Sequence, residues 1–273
     1  MLRPYQAYPI LRDEKLLDRV IMRLRLAVGI CPICGNVTLF YKFSENLRET
    51  GTCVVCKSTN RHRQVAVVLL NAIAEMTGIQ FSSIAAFVRK KMTEKPLIIY
   101  NTETTNPLHH QLKHYPGYLA SEYLEAGNVS GEMINGILHQ DLMATSFVDH
   151  SIDLMISSDV FEHIPDPYKA FAEVHRILKP NGRHIFTVPF YQERYRDEIR
   201  TVLEPNGTVK HLLPPIYHGD PLRPEGIIVY VIFSLEMLLK LNDIGYQMKM
   251  YKLHHFLQGI LGANAIVFES IKS

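Results

Sequence analysis

From Lys95 onward, short apolar runs alternate with amphipathic segments, and this alternation restricts the fold more than any other feature of the chain. "PLIIYN", "GYLASEY", "GILHQDL", "SIDLMISSD" and "GRHIFTVPF" are strand-like, whereas "HHQLKHY" and "PYKAFAEVHRILKP" carry helical spacing. Strands that alternate with helices pair in parallel, because each crossover returns the chain to the same end of the sheet, and helices then cover both faces. The expectation is an α/β chain built on a doubly wound, mostly parallel sheet. An irregular stretch rich in proline and charge reads as an insertion at about 190–228. "SLEMLLKLNDIGY" then predicts a helix ended by Gly245, and strand-like runs follow at Met248–Leu253 and Ala263–Glu269.

The first 94 residues have a different texture. Leu16, Leu17, Val20, Ile21, Leu24 and Val28 fall at helical spacing, with Gly29 placed to stop the helix. "NRHRQVAVVLLNAIAEMTG" predicts a second helix, capped by Asn60 and ended by Gly78, and a third spans roughly Ser82 to Met92. The organisation read from this is a module of N-terminal helices over 1–94, enclosing a cysteine module at about 30–57, followed by an α/β domain over 95–273.

All four cysteines lie in that module. "CPICG" and "CVVCK" place Cys31, Cys34, Cys53 and Cys56 as two C-x2-C pairs separated by eighteen residues. Each pair can bend a tight turn that aims both sulfurs at one cation, and four thiolates close a tetrahedral shell with no open position. The spacing predicts a zinc ribbon whose Zn2+ is structural, a staple for a region too small to build its own core. Arg61, His62 and Arg63 form a basic knot just behind it, suited either to phosphate or nucleic acid or to capping and pairing within the ribbon.

Composition excludes some classes. A formal charge of +2 over 273 residues forces no large cationic surface. No run of eighteen apolar residues exists, and "MLRPYQAYPILRDEK" reaches charge too early for a signal-peptide core. A cytoplasmic location is expected, and oligomeric state is not legible.

In a doubly wound sheet, ligands bind beyond the carboxyl ends of the strands, near the switch in strand order. Four such ends stand out. The first is a strand at Leu97–Tyr100 followed by Asn101, Thr102 and Glu103, with no glycine in the turn. The second carries Glu122, an acid able to accept hydrogen bonds from ribose hydroxyls. The third ends in Asp141 and Leu142, a carboxylate for an adenine amino group beside an apolar contact for the ring. The fourth, "IDLMISSDVFEHI", opens through Ser157, Ser158 and Asp159 and continues to Glu162 and His163.

The fifty residues from Asp141 to Phe190 resemble the class I S-adenosylmethionine-dependent methyltransferases of the type 11-like branch. Asp141, Phe147, Asp149, Ser151, Asp153, Ser158, Glu162, His163, Arg176, Leu178, Lys179, Pro180 and Gly182 fall in step with that motif. Asn181 replaces the first glycine of its K-P-G-G turn, and asparagine tolerates a left-handed backbone. The whole chain also resembles a narrower group with an N-terminal zinc ribbon and an R-H-R helix. Members of that group often carry an A-P-E-like turn in place of the glycine loop, where "NTE" stands at Asn101–Glu103. They share a "YHGDP…EG" element, here Tyr217, His218, Gly219, Asp220, Pro221, Glu225 and Gly226.

The resemblance implies a Rossmann-like, seven-stranded methyltransferase sheet and S-adenosyl-L-methionine as cofactor. It implies a cofactor site at Asn101, Thr102, Glu103, Glu122, Asp141, Leu142, Ser158, Asp159 and His163. It further implies methyl transfer to a small-molecule or glycan-type acceptor, at oxygen or nitrogen. His163 and His218 are the candidate catalytic bases, set against a capping or packing role for His163 and a loop pair of His218 with Asp220. Tyr191, Arg194, Tyr195 and Arg196 offer an anionic acceptor site or a solvated face. Two other functions compete: an RNA methyltransferase gripping RNA through the ribbon, and a non-catalytic methyltransferase-fold scaffold, which the glycine-free loop motivates. A dehydrogenase would require G-x-G-x-x-G after the first strand, and that motif is absent.

Overall fold

The computed structural model describes residues 12–90, 95–219, 223–262 and 266–273. The described residues fall into two compact units: those of Met1–Leu97, Asn106–Tyr118 and Lys249–Glu269, and those of Ile98–Thr105, Leu119–Met248 and Ser270–Ser273. Among them no helix is long and apolar enough to cross a membrane.

In the first unit, α1 (Arg12–Leu24) stops earlier than its apolar spacing suggests. Arg25 turns left-handed at φ 54, and β1 (Leu26–Ile30) takes Val28 and Gly29 into a strand. Gly29 is therefore not a helix stop: a Cβ there would lie 1.9 Å from the Leu257 carbonyl oxygen, so glycine permits the close approach of another backbone. With β2 (Val37–Tyr41) and β3 (Thr52–Cys53), β1 forms an antiparallel three-stranded sheet.

The second helix, α2 (Asn60–Thr77), ends at Gly78 with φ 72, as its sequence predicts. Its N-cap is Thr59 rather than Asn60. The Asn60 amide instead donates to the carbonyls of Leu47 (2.8 Å) and Leu261 (2.7 Å), tying the helix start to two loops. Val65, Val68, Leu69 and Ile73 are fully buried along one stripe, each worth roughly 1.5–3 kcal/mol over exposure. The third helix, α3 (Ile84–Arg89), is capped by Ser83, and residues 91–92 of the predicted segment lie outside the described residues.

Next come β4 (Ile99–Asn101), α4 (Pro107–Leu112), β5 (Tyr118–Ala120), β6 (Met133–Ile134), β7 (Ile137–Leu138), β8 (Ile152–Ser158), α5 (Pro167–Ile177) and β9 (Leu178–Thr187). The insertion is not structureless. It contains β10 (Phe190–Tyr191), β11 (Glu198–Ile199), the β12–β13 hairpin (Thr201–Leu203 with Val209–His211) and the β14–β15 hairpin (Tyr217–His218 with Ile227–Ile228). The chain then forms β16 (Val231–Ser234), α6 (Leu235–Ile244), β17 (Tyr246–Lys252) and β18 (Ile266–Lys272). Gly245 ends α6 at φ 112 as expected, and residues 263–265 of the final strand-like run lie outside the described residues.

The main sheet has six strands, in the order β17-β18-β9-β8-β4-β5, where seven were expected. The strand predicted to end at Asp141 does not form. Ile137–Leu138 folds back on Met133–Ile134 as a hairpin, and one parallel bridge, Glu122 to His139, is all that extends the sheet there. Two hydrogen bonds hold it: Glu122 N–H to the Leu138 carbonyl (3.0 Å) and Gln140 N–H to the Glu122 carbonyl (3.1 Å). The local turn at Asn135 and Gly136, both with positive φ, takes the residues that a longer strand would need.

The parallel pairings of β4 with β8 and of β8 with β9 are as expected. Strand order reverses between β4 and β8, so their carboxyl ends define the switch point. Several residues of the long motif serve this frame. Asp153 accepts from Ile98 N–H and Lys179 Nζ, each at 2.7 Å, and Arg176 joins Asp149, Glu173 and the Phe147 carbonyl. Asn181, expected in a turn, lies within β9 and sits left-handed at φ 61 where the register shifts between the Leu178 and Arg183 pairings.

Candidate functional site

The glycine-free turn works because no residue between Asn101 and Asn106 needs a positive φ. Asn101 is fully buried, and its amide closes the turn on the Glu103 carbonyl at 3.0 Å. Thr102 N–H donates to the Ile156 carbonyl of β8 at 3.2 Å, and Ser121 N–H donates to the Asn101 carbonyl at 3.1 Å. The second bond brings Glu122 alongside the turn. Glu122 Oε1 there accepts from the backbone N–H (2.6 Å) and the hydroxyl (2.7 Å) of Thr104. The carboxylate expected to meet a ribose also fastens the loop that replaces the glycines.

Asp141 is half-buried and Leu142 buried. Asp141 Oδ1 accepts from Met143 N–H at 2.8 Å, an Asx turn that orients the side chain, and the Ser130 hydroxyl accepts from Asp141 N–H at 2.9 Å. At the end of β8, Ser158 and Asp159 both converge on Thr187: Ser158 Oγ lies 3.1 Å from Thr187 Oγ1, which donates to Asp159 Oδ1 at 3.0 Å. Asp159 adopts φ 56, and its N–H donates to the Thr187 carbonyl at 2.9 Å. Thr104 and Thr187 were not legible in the sequence, because each acts across strands distant in the chain.

The structure brings Glu162, His163 and His218 into one cluster. His163 follows β8 on a short 3-10 turn, and His218 arrives on β14. His163 Nδ1 lies 2.7 Å from the Ile228 carbonyl, so that nitrogen carries the proton. Its Nε2 lies 3.2 Å from His218 Nδ1. The Glu162 carboxyl is fully buried, and among the described residues no donor meets hydrogen-bond geometry at either oxygen; His218 Nδ1 lies 3.4 Å and His163 Nε2 3.7 Å from Oε1. Burial pushes the Glu162 carboxyl above its usual range. Asp220, the partner weighed for His218, lies outside the described residues. In the neighbouring segment, Arg194 stacks on the Tyr191 ring at 4.2 Å and pairs with Glu198.

The four cysteines also converge. Their sulfurs lie within 4.8 Å of one another, with Cys31 and Cys56 3.7 Å apart. A tetrahedral ion with bonds of about 2.3 Å requires sulfurs about 3.8 Å apart, so the set fits zinc. Gly35 N–H donates to the Cys31 carbonyl and Lys57 N–H to the Cys53 carbonyl, closing a matching turn at each pair. The basic knot is used internally. Arg61 chelates Glu49 (2.7 and 3.1 Å), and His62 Nδ1 accepts from Thr59 N–H at 3.1 Å. Arg63 is fully buried over the Phe40 ring, donating to the carbonyls of Ser58 (2.6 Å) and Gly259 (2.7 Å).

Residues 118–186 match the family model of a methyltransferase domain. That segment holds β5, β8, α5 and the residues from Glu122 to His163. An uncharacterised methyltransferase of Mycobacterium tuberculosis is 31% identical over 84 residues, covering 24% of this chain and 33% of the relative. Phosphoethanolamine N-methyltransferase 2 of Caenorhabditis elegans is 38% identical over 48 residues, covering 18% of this chain and 11% of that protein. The chain thus spans about a third of the mycobacterial relative's length. Among solved structures, an S-adenosylmethionine-dependent methyltransferase of Mesorhizobium loti is similar at a TM-score of 0.41 and 16% identity, over 68% of this chain and 96% of that one.

Proposed function

We propose that this chain is an S-adenosylmethionine-dependent methyltransferase acting on a small-molecule or glycan-type acceptor. One observation carries the proposal: within a segment that matches a methyltransferase domain, Glu122 stands against the turn after β4, at the switch in strand order. Asn101, Thr102 and Glu103 form the turn that would hold the methionine end of the cofactor. Glu122 would receive the ribose hydroxyls, and Asp141 with Leu142 the adenine. Ser158 and Asp159 line the approach, and His163 closes it. Partial exposure of Glu122 and Asp141 leaves both carboxylates within reach of a ligand. When bound, the cofactor supplies an electrophilic methyl group on a sulfonium.

The chain's own contribution is to orient the acceptor in line with that methyl and to exclude water. His163 and His218 are the side chains assigned to the acceptor atom. Zn2+ on Cys31, Cys34, Cys53 and Cys56 would staple the cysteine module of the first compact unit, and the residues assigned to the reaction all belong to the second. The internal use of Arg61 and Arg63 disfavours RNA as the acceptor.

The test is calorimetric titration of zinc-loaded protein with S-adenosylhomocysteine. Micromolar binding that both Glu122→Ala and Asp141→Ala weaken supports the proposal. Folded protein without detectable binding overturns it and leaves a methyltransferase-fold scaffold.

A further inference from the structure

Glu162, His163 and His218 contain more than a pair of bases requires. The three facing atoms, Glu162 Oε1, His163 Nε2 and His218 Nδ1, form a triangle with edges of 3.2, 3.4 and 3.7 Å. A tetrahedral cation with nitrogen and oxygen ligands at about 2.0–2.1 Å requires edges of about 3.3–3.4 Å. The triangle therefore matches one face of such a polyhedron. A single ion can reach all three atoms without moving the backbone.

Two further observations point to a ligand. The Glu162 carboxyl is fully buried, and no described donor hydrogen-bonds either oxygen. Proteins seldom leave a carboxyl in that condition, because burying its charge requires a counter-charge or a set of donors. The second is the way the imidazoles are held. His163 directs Nδ1–H at the Ile228 carbonyl, so Nε2 presents its lone pair to the cluster. A metal-ligating histidine is oriented in the same manner, its outer N–H fixed on a backbone carbonyl.

One hairpin supplies both parts. In β14–β15, His218 pairs with Ile227 and Tyr217 with Ile228, so the strand pair that delivers His218 also presents the carbonyl that orients His163. Tyr230 N–H donates to the Glu162 carbonyl at 2.8 Å, fixing the third ligand to the same segment.

We propose that Glu162, His163 and His218 bind a divalent cation of borderline softness, such as Zn2+, as a second metal centre distinct from the four cysteines. Three protein ligands leave one coordination position open, the pattern of a reactive rather than a structural site. An oxygen donor fills it: water, or a hydroxyl of the acceptor. With the cation bound, the two histidines act on the acceptor through the metal and not as free bases. The site rests on its own geometry and stands or falls independently of the cofactor proposal.

The test is metal content by mass spectrometry after equilibration of the full chain with Zn2+ and removal of excess, for wild type, Glu162→Gln and His218→Ala. The glutamine keeps the shape of Glu162 and removes its charge, and His218 is partly exposed, so both variants are expected to fold. Two zinc ions per wild-type chain and one in each variant are expected, with affinity for the second ion reduced at least 100-fold. Co2+ substitution assigns the sites: the thiolate site gives sulfur-to-metal charge-transfer bands, and the second site gives weak visible bands without them. A single ion in wild type at saturating Zn2+ overturns the proposal. So does a second ion that survives both substitutions, which would mark it as adventitious.

Discussion

Thr104 donates both its backbone N–H and its hydroxyl to one oxygen of Glu122, at 2.6 and 2.7 Å. That arrangement stands where a glycine-rich turn would let a backbone approach a ligand. The loop is shaped by an acid just past β5 instead of by residues with positive φ. Removing the carboxylate therefore disturbs the shape of the turn and, on the proposed function, a contact to the cofactor as well.

Glu122→Ala is expected to weaken S-adenosylhomocysteine binding by roughly tenfold to a hundredfold, the range for losing hydrogen bonds to a charged group of about 1.5–3 kcal/mol. Thr104→Val keeps the acid and removes only the hydroxyl, and a loss of no more than about tenfold is expected. Calorimetry on both variants checks this. Equal losses would mean that loop shape alone governs binding.

On the proposed zinc staple, metal removal is expected to unfold the module of Cys31, Cys34, Cys53 and Cys56, because its three short strands hold little core of their own. Cys53→Ser is then expected to bind no tight zinc at this module and to expose residues near 30–57 to limited proteolysis. Protease resistance equal to wild type after complete zinc loss would contradict the structural role.

Arg63→Ala is expected to cost about 2–3 kcal/mol, since the buried Gly259 carbonyl loses its Arg63 donor, the Ser58 carbonyl keeps only Cys53 N–H, and the Phe40 ring loses its cover. Arg63→Lys should restore little of this. A single ammonium has no planar fork to span both carbonyls. Urea midpoints for the three proteins provide the comparison.

His184 supplies a pH dependence. It is fully buried between Phe161 and Phe186, with Nε2 2.8 Å from the Ser157 hydroxyl. Desolvation by burial pushes it down to about 3 from its ordinary value of about 6.5. Below pH ~6.5 the unfolded chain takes up a proton that the folded chain refuses. The stabilisation is complete above that pH and declines as pH falls to about 3, at about 1.4 kcal/mol per unit once unfolded His184 is fully protonated. His184→Leu is expected to flatten the acid limb of the stability curve by one proton. An unchanged limb in chemical denaturation from pH 4 to 7 would refute the assignment.

The α/β alternation was legible because burial imposes a period on each element, and a period is a local property of the chain. The two C-x2-C pairs were legible for the same reason: their geometry is set within four residues each. The early end of α1 was not, since Gly29 answers to Leu257, a residue far along the chain. The missing seventh strand was not either. "GILHQDL" has strand composition, and the competing hairpin at Met133–Leu138 decides its fate.

Local pattern therefore set the α/β class, the pairing of the cysteines and the placing of Glu122 just past β5, but not the setting of Asp141, which no main-sheet strand immediately precedes. Tertiary structure decided what those residues face: Thr104 for Glu122, Glu49 for Arg61, two carbonyls for Arg63, and the joining of Glu162 and His163 with His218, fifty-five residues from His163 along the chain. The physical reason is range. Periodicity and turn chemistry act over a few residues, whereas the pairing of buried polar groups is settled only when packing brings distant segments together and water is no longer available to satisfy them.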